Sequence, residues 1–495
     1  MSYTRPGSDA LTQLLGRVQA AGATSQSVRL WYRGDMTPAH SPAPDALPGM
    51  VRHVAIIGAG FSGTLLAINL LRHDGPAATL IERGDAAGLG VAYGTRQSDH
   101  LLNVRAANMS AFPDRPDHFV AWLAERNGAG GPADFVPRAL YGAYLRETLA
   151  AAQAAAPGRL SVIEGEAVGV DGATVRLKDG GRVDADAVVL AVGNLAPQVP
   201  PGLEGIADGP GYVGNPWAAG ATAGLADGDT VLLIGTGLTM VDVALTLEAQ
   251  GFAGRIVALS RRGLLPHRHA PATPAAQPLT ERPRPPLSAL VRSVRARGDA
   301  IGWRSAIDEL RPFTQGIWAA AEPSERRRFL RHLRPWWDIH RHRLAPAVAD
   351  RVEAMMARGR LTLLAGKSRD AQAIKDGVRV TWRPRGESEE RRLDVTRVIS
   401  CIGPQGDVAR TDDPLLAALV SAGRIRPDGE HLGIDVEVTG RVLHADGQSD
   451  DRMFAIGPMT RGAFWEIVAV PDLRRQVWDV ARYLSNAHWV GGEGL

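Results

Sequence analysis

Val51-Arg52-His53-Val54-Ala55-Ile56-Ile57-Gly58-Ala59-Gly60-Phe61-Ser62-Gly63-Thr64 decides the fold. An apolar run with β-branched residues at Val51–Ile57 predicts a buried strand, and it runs straight into Gly-x-Gly-x-x-Gly. A helix is expected over Thr64–Arg72, and a second strand over Ala78–Ile81 ends at Glu82. Strand, glycine turn, helix and strand fit one βαβ unit of about 30 residues. In that setting Gly58 permits the tight turn, Gly60 lets backbone approach a pyrophosphate, and Gly63 lets helix and strand pack closely. The helix N-terminus adds partial positive charge facing the phosphates. Glu82 follows Gly58 by 24 residues, where a carboxylate can accept bonds from both ribose hydroxyls.

The same grammar returns at Thr230–Ile234, a strand followed by Gly235-Thr236-Gly237-Leu238-Thr239-Met240, a helix over Val241–Ala249 and a strand over Arg255–Ser260. Met240 replaces the third glycine and should hold the helix away from its strand. Ser260-Arg261-Arg262 stands where the first unit has its acid. A carboxylate there would repel a 2′-phosphate, whereas two guanidiniums can hold one. The first turn therefore suits FAD and the second NADPH, with electrons passing from nicotinamide to flavin. Ala187–Gly193 and Thr396–Ile402 read as the last strands of the two units, and a further strand is expected at Met453–Ile456 with a helix from Pro471 to Leu484.

The chain has 495 residues, 56 Gly and 33 Pro, enough for two or three domains. Its one cysteine, Cys401, excludes a disulfide framework, a Cys-rich zinc site and a redox dithiol; Cys401 itself reads as a buried strand residue. No apolar run reaches the ~18 residues of a membrane span, and no secretory h-region opens the sequence, so a cytoplasmic protein is expected. The net charge of +3 is uneven: residues 255–345 hold 18 Arg, no Lys and 7 acids, or +11, leaving −8 elsewhere. Such a block is a solvated surface, an anion-binding face or a nucleic-acid footprint. The five histidines within it follow no metal-ligand spacing, so no metal is expected.

Gly58–Gly63 (GAGFSG), Ala191–Asn194 (AVGN), Gly235–Met240 (GTGLTM), Ser260–Gly263 (SRRG) and Cys401–Pro404 (CIGP), in this order, resemble the two-dinucleotide-binding flavoproteins. That group includes flavin-containing, Baeyer–Villiger and N-hydroxylating monooxygenases. His100–Val104, Met109–Pro113, Arg328–Arg343 and Gly457–Pro471 resemble more closely the bacterial FAD/NAD(P)-binding oxidoreductases typified by YdhS. The resemblance covers residues 51–485. It implies an α/β fold of two Rossmann-like domains, with the NADPH domain (206–399) inserted into a discontinuous FAD domain (51–205 and 400–495). An Arg-rich helical insertion (265–345) and a flexible N-terminal extension (1–50) complete it. Implied first-site residues are Gly58, Gly60, Phe61, Ser62, Gly63, Glu82, Arg83, Tyr93, Leu102, Asn103, Met109, Val168, Gly193, Gly457, Pro458 and Trp465. Those of the second are Gly235, Gly237, Leu238, Thr239, Arg261 and Arg262. Glu466 follows Trp465 near the same turn. Two departures stand out: Gly457-Pro458 replaces the usual Gly-Asp, and Asn215 stands near where the monooxygenase fingerprint has histidine.

Three functions satisfy this reading. The first is an NADPH-dependent FAD monooxygenase that adds O₂ at flavin C4a and oxidises a small molecule, which needs no protein nucleophile and leaves no catalytic residue to name. The second is a reductase delivering electrons to a quinone or protein. The third is a flavoprotein sensor using its basic block on nucleic acid, the least favoured of the three.

Overall fold

The structure is a computed structural model, and it describes residues 50–84, 88, 90–95, 97–126, 130–270, 279, 282, 283 and 286–485. The expected N-terminal extension, and most of the Pro-rich loop at 271–286, lie outside the described residues.

Two sheets organise the chain. The first has six strands in the order Arg441–Leu443, Ser449–Ala455, Ala187–Leu190, His53–Ile57, Ala77–Glu82 and Leu160–Glu164. All its pairs are parallel except the antiparallel hairpin at the C-terminal edge. Strands from both ends of the sequence meet here, with Met453 in register with Val188. The second sheet has seven strands in the order Arg391–Val395, Gly377–Pro384, Leu361–Ile374, Arg255–Ser260, Thr230–Ile234, Arg397–Ser400 and Tyr212–Val213. It is built wholly from residues that lie in sequence between those that form the first.

Central strands of both sheets are fully buried, which explains their near-continuous apolar sequence rather than alternation. The helix Phe61–Arg72 buries eleven of its twelve residues between the first sheet and the helix Arg138–Ala155. The strand Leu361–Ile374 serves two roles. Its first half pairs parallel with Arg255–Ser260, and after an irregularity at Ser368/Asp370 it continues into an antiparallel hairpin with Gly377–Pro384. A separate three-stranded sheet, Ala167–Asp171, Thr174–Leu177 and Arg182–Asp184, packs beside the first.

The Arg-rich segment fills the crossover between Arg255–Ser260 and Leu361–Ile374. Its helices are Leu287–Ile301, Trp303–Leu310, Thr314–Ala320, Pro323–His332 and Arg334–Arg341. The division at Leu333 follows from Pro335, which cannot donate its missing N–H inside a continuous helix. Pro346–Ala357 is the crossover helix that returns to the sheet.

Candidate functional site

The two glycine turns are built alike, atom by atom. Gly58 N–H donates to Ile81 O at 2.8 Å, and Gly235 N–H to Leu259 O at 2.8 Å. Ala191 N–H donates to Ile57 O at 2.8 Å, and Cys401 N–H to Ile234 O at 2.7 Å. Gly58 and Gly235 have φ of +105° and +113°, and a Cβ on either would lie 2.4 Å from Ala191 O or 2.5 Å from Cys401 O. AVGN and CIGP therefore do one job: each folds its backbone over the adjacent glycine turn. Burial drives the Cys401 thiol well above its usual range, leaving it inert.

Gly60 and Gly237 differ from these close-packed positions. Each caps the helix that follows without a side-chain hydrogen bond, leaving the helix N–H groups facing outward. A Cβ on Gly60 would meet nothing nearer than Gly90 Cα at 3.9 Å, and one on Gly237 nothing within 4 Å. These are cradles of bare backbone, and they fit the pyrophosphate of a dinucleotide. At the third position the turns part. A Cβ on Gly63 would fall 1.9 Å from Gly58 O, whereas the equivalent Met240 is fully buried among Val231, Leu233 and Ile256. No side chain fits between helix and strand in the first unit, and a long one does in the second.

The strand ends differ in charge. Glu82 is half-buried, accepting Ala59 N–H at 2.8 Å on one oxygen and Gly84 N–H at 3.2 Å on the other. It thus ties the glycine turn to the end of the second strand. In the second unit Ser260 Oγ bonds Thr236 Oγ1 at 2.8 Å and accepts Gly263 N–H at 3.0 Å, which fixes the loop bearing Arg261 and Arg262. Among the described residues neither arginine has a carboxylate within ion-pair distance; Arg262 lies over the ring of Trp336, 5.9 Å from its centre.

The other expected site residues fall into three groups. Gly457 meets the first turn directly: at φ +87°, a Cβ on it would lie 2.8 Å from Ser62 Oγ. Pro458 begins the short turn that follows, and Gly193 (φ +71°) is open to solvent space with nothing within 4 Å of its would-be Cβ. Phe61 and Tyr93 stack edge-on at 6.1 Å beside the same helix start. Leu102 and Met109 are buried in the core around that helix, and Val168 sits at a register irregularity of the small sheet. Arg83 is mostly exposed, 3.6 Å from Asp413. Leu238 and Thr239 open the second helix. Asn103 turns its carbonyl to His269 Nε2 at 3.0 Å, and Trp465 is buried in a stack on Trp318 with ring centres 4.6 Å apart. Asn215 caps a local turn by accepting Trp217 N–H at 3.0 Å.

Several residues that hold this site carry no motif. Gln476 accepts Gly457 N–H at 2.8 Å and donates to Thr460 Oγ1 at 2.8 Å, fixing the C-terminal turn on the helix Val470–Leu484. A polar residue inside the Leu473, Val477, Val480 stripe is the signal that marks it. His100 donates to Asp242 O at 3.1 Å, and Arg138 pairs with Asp242 at 2.9 Å, joining the first domain to the second helix. Burial raises the Asp242 carboxyl against the pull of Arg138 and His100.

Several arginines of the block are tied up in ion pairs with the rest of the fold. Arg311 pairs with Asp472, Arg341 with Glu466 at 3.1 Å, Arg343 with Asp308 at 2.9 Å, Arg297 with Glu309 at 2.9 Å and Arg268 with Glu353 at 2.9 Å. Asp472, Glu466 and Glu353 lie outside the block, so part of its charge is balanced from other segments. Glu466 anchors the insertion to the segment after Gly457: it holds a strained φ of +65° and accepts Trp337 Nε1–H at 2.6 Å. Burial opposes its ionisation, but Arg341, His342 and Arg311 outweigh that and hold the carboxyl below its usual range. Trp337→Phe removes one donor from this buried carboxylate and should cost about 1–3 kcal/mol, read as a lower melting temperature. An unchanged melting temperature would contradict the anchor.

His269 and His342 are held at about 4, each by burial, with the bond to Asn103 opposing in His269 and Glu466 opposing in His342. Their folded values lie below the unfolded 6.5, so the unfolded chain binds more protons between these limits. The contribution of these two histidines to stability is therefore complete near neutral pH and is lost as pH falls from about 6.5 towards 4. The expected melting temperature drops across that window; a flat profile from pH 7 to 4.5 would contradict it.

Residues 55–195 match a family described as FAD-NAD(P)-binding. This part of the chain is an FAD/NAD(P)-binding domain. The same domain holds the Gly58 turn, Glu82 and the Ala191–Gly193 turn that closes over it. A nitrosuccinic acid synthase from Aspergillus oryzae is 32% identical over 127 residues, which is 24% of this chain and 19% of that protein, so the chain matches only about a fifth of that relative's length. Among solved structures, an ornithine N-hydroxylase from Kutzneria has a TM-score of 0.60 at 14% identity, covering 89% of this chain and 100% of its own. The ornithine hydroxylase of Pseudomonas aeruginosa has a TM-score of 0.59 at 15% identity, covering 88% and 99%. A cadaverine monooxygenase from Erwinia amylovora has a TM-score of 0.57 at 12% identity, covering 88% and 95%. These likenesses show a shared two-sheet fold across most of the chain. Among the described residues no helix is long and apolar enough to cross a membrane.

Proposed function

We propose that the chain is an NADPH-dependent flavoprotein monooxygenase acting on a small molecule with O₂. FAD is held at the Gly58–Gly63 turn by residues of 51–205 and 400–495, and NADPH at the Gly235–Met240 turn within 206–399. The observation that carries this reading is the pairing of two near-identical turns with opposite charge beside them. A half-buried carboxylate at Glu82 suits two free ribose hydroxyls, and guanidiniums at Arg261 and Arg262, without carboxylate partners among the described residues, suit a 2′-phosphate.

When bound, FAD supplies the two-electron redox chemistry that no side chain here provides. The protein's part is placement. Gly60 and the Phe61 helix start seat the pyrophosphate, Glu82 orients the ribose, and Gln476 holds Gly457 against Ser62 beside it. Trp318 and Phe329 pack on Trp465 in an aromatic cluster on the segment that follows Gly457. The shared architecture with ornithine and cadaverine hydroxylases supports oxygen transfer to a small amine over electron delivery to a quinone.

The test is product balance in air. NADPH oxidation is followed with ornithine, lysine or cadaverine present, and hydroxylated product and hydrogen peroxide are both measured. Hydroxylated product accounting for most NADPH consumed with one amine supports the reading. Peroxide alone with every amine, together with rapid quinone reduction in the absence of air, would contradict it.

A further inference from the structure

The adjacent pair Trp336-Trp337 faces two ways. Trp337 points inward, its indole N–H on Glu466 and its ring beside Phe329. Trp336, about 100° further round the helix Arg334–Arg341, points out and is 41% exposed. Only two tryptophans among the described residues are this exposed, the other being Trp217 at 38%. An indole left in water costs apolar surface, and here it sits at a defined place: under the Arg262 guanidinium, 5.9 Å from ring centre to Cζ.

We propose that Trp336 is the adenine platform of the second dinucleotide site. This rests on the reading that NADPH occupies the Gly235–Met240 turn. In a βαβ dinucleotide unit the adenosine lies beyond the end of the second strand, which here is Ser260. Arg261 and Arg262 follow immediately and take the 2′-phosphate. The base then lies against the surface next to Arg262, and Trp336 is the aromatic ring there.

The platform stands on a helix fixed to the fold, which matters because an ordered support loses less entropy on binding. Trp336 N–H donates to Leu333 O at 2.9 Å, and its carbonyl accepts from His340 Nδ1 at 2.7 Å. Through Trp337 and Arg341, the same helix is clamped to Glu466. The Arg-rich insertion thus reaches across from the first domain's C-terminal segment to the second domain's coenzyme. A ring that stacks on adenine gives affinity common to NADPH and NADH, whereas the arginines give the preference between them.

The experiment is calorimetric titration of the FAD-loaded full chain with NADP⁺, NAD⁺ and 2′,5′-ADP. Trp336→Ala should weaken all three by a similar factor of about tenfold, the scale of a base–aromatic stack. Trp336→Phe should keep most of the affinity, since it keeps a π-face. Because much of the ring is buried, the titrations are run well below each variant's melting temperature, so that lost packing is not counted as lost binding. If Trp336→Ala binds all three as the unmutated protein does, while Arg261→Ala with Arg262→Ala loses NADP⁺, the platform is wrong and the coenzyme site stands. Weakening confined to NADP⁺ and 2′,5′-ADP would also overturn it, since the tryptophan would then act only through Arg262. If the double arginine variant binds NADP⁺ normally, the underlying site reading fails instead.

Discussion

Gly60→Val is expected to give a folded protein that holds almost no flavin. Gly60 has φ −71° and ψ −167°, a conformation valine adopts freely, and its would-be Cβ stands 3.9 Å from the nearest protein atom outside its own turn. The polypeptide therefore accommodates the change, and the added side chain enters the space a pyrophosphate needs. Flavin absorbance per protein should fall to near zero while the melting temperature of the flavin-free protein is unchanged. Gly63→Ala, three residues on, is expected to do the reverse. Its methyl would lie 1.9 Å from Gly58 O, a backbone atom that cannot swing away, so the cost is about 1–3 kcal/mol or more of stability. A Gly60→Val protein with full flavin content would place the cofactor elsewhere.

Arg261→Ala with Arg262→Ala is expected to remove the preference for NADPH. Charge-assisted bonds to a phosphate contribute roughly 1.5–3 kcal/mol each before desolvation. If half of that survives for two arginines, the loss is about tenfold to a hundredfold in NADPH affinity. NADH, which has no 2′-phosphate, should bind almost as before. The steady-state ratio of kcat/KM for the two coenzymes reads this directly, and a ratio unchanged by the double substitution would return both arginines to the surface.

What was legible in the sequence is what is local in it. Both glycine turns, their strands and their flanking charge lie within ~30 residues, and the structure places them as their spacing implies, with the helices starting earlier, at Phe61 and Leu238. The role of Ala191–Asn194 and Cys401–Pro404 was only half legible. Both read as strand ends, but their backbone contact with Gly58 and Gly235 joins residues more than 130 apart and has no local pattern. The arginine block was legible only in part for the same reason: Asp472, Glu466 and Glu353 offset some of its charge from outside its own window. Trp336 and Trp337 are neighbours in one short helix, yet only Trp337 packs on the core, because adjacent helix positions face ~100° apart. The strand Leu361–Ile374 mixes polar and apolar residues because it passes from a buried parallel sheet to a half-exposed hairpin, so neither periodicity runs its full length.

The central claim, that one chain holds FAD at its first turn and takes electrons from NADPH at its second, is tested most directly by reduction in the absence of air. The purified protein is titrated with NADPH and, separately, with NADH, and the flavin band near 450 nm is followed. The account predicts a yellow protein that releases FAD on denaturation and bleaches with one equivalent of NADPH, at ~10-fold or lower concentration than NADH requires. A colourless protein, or a flavin bleached equally well by both coenzymes, would contradict it.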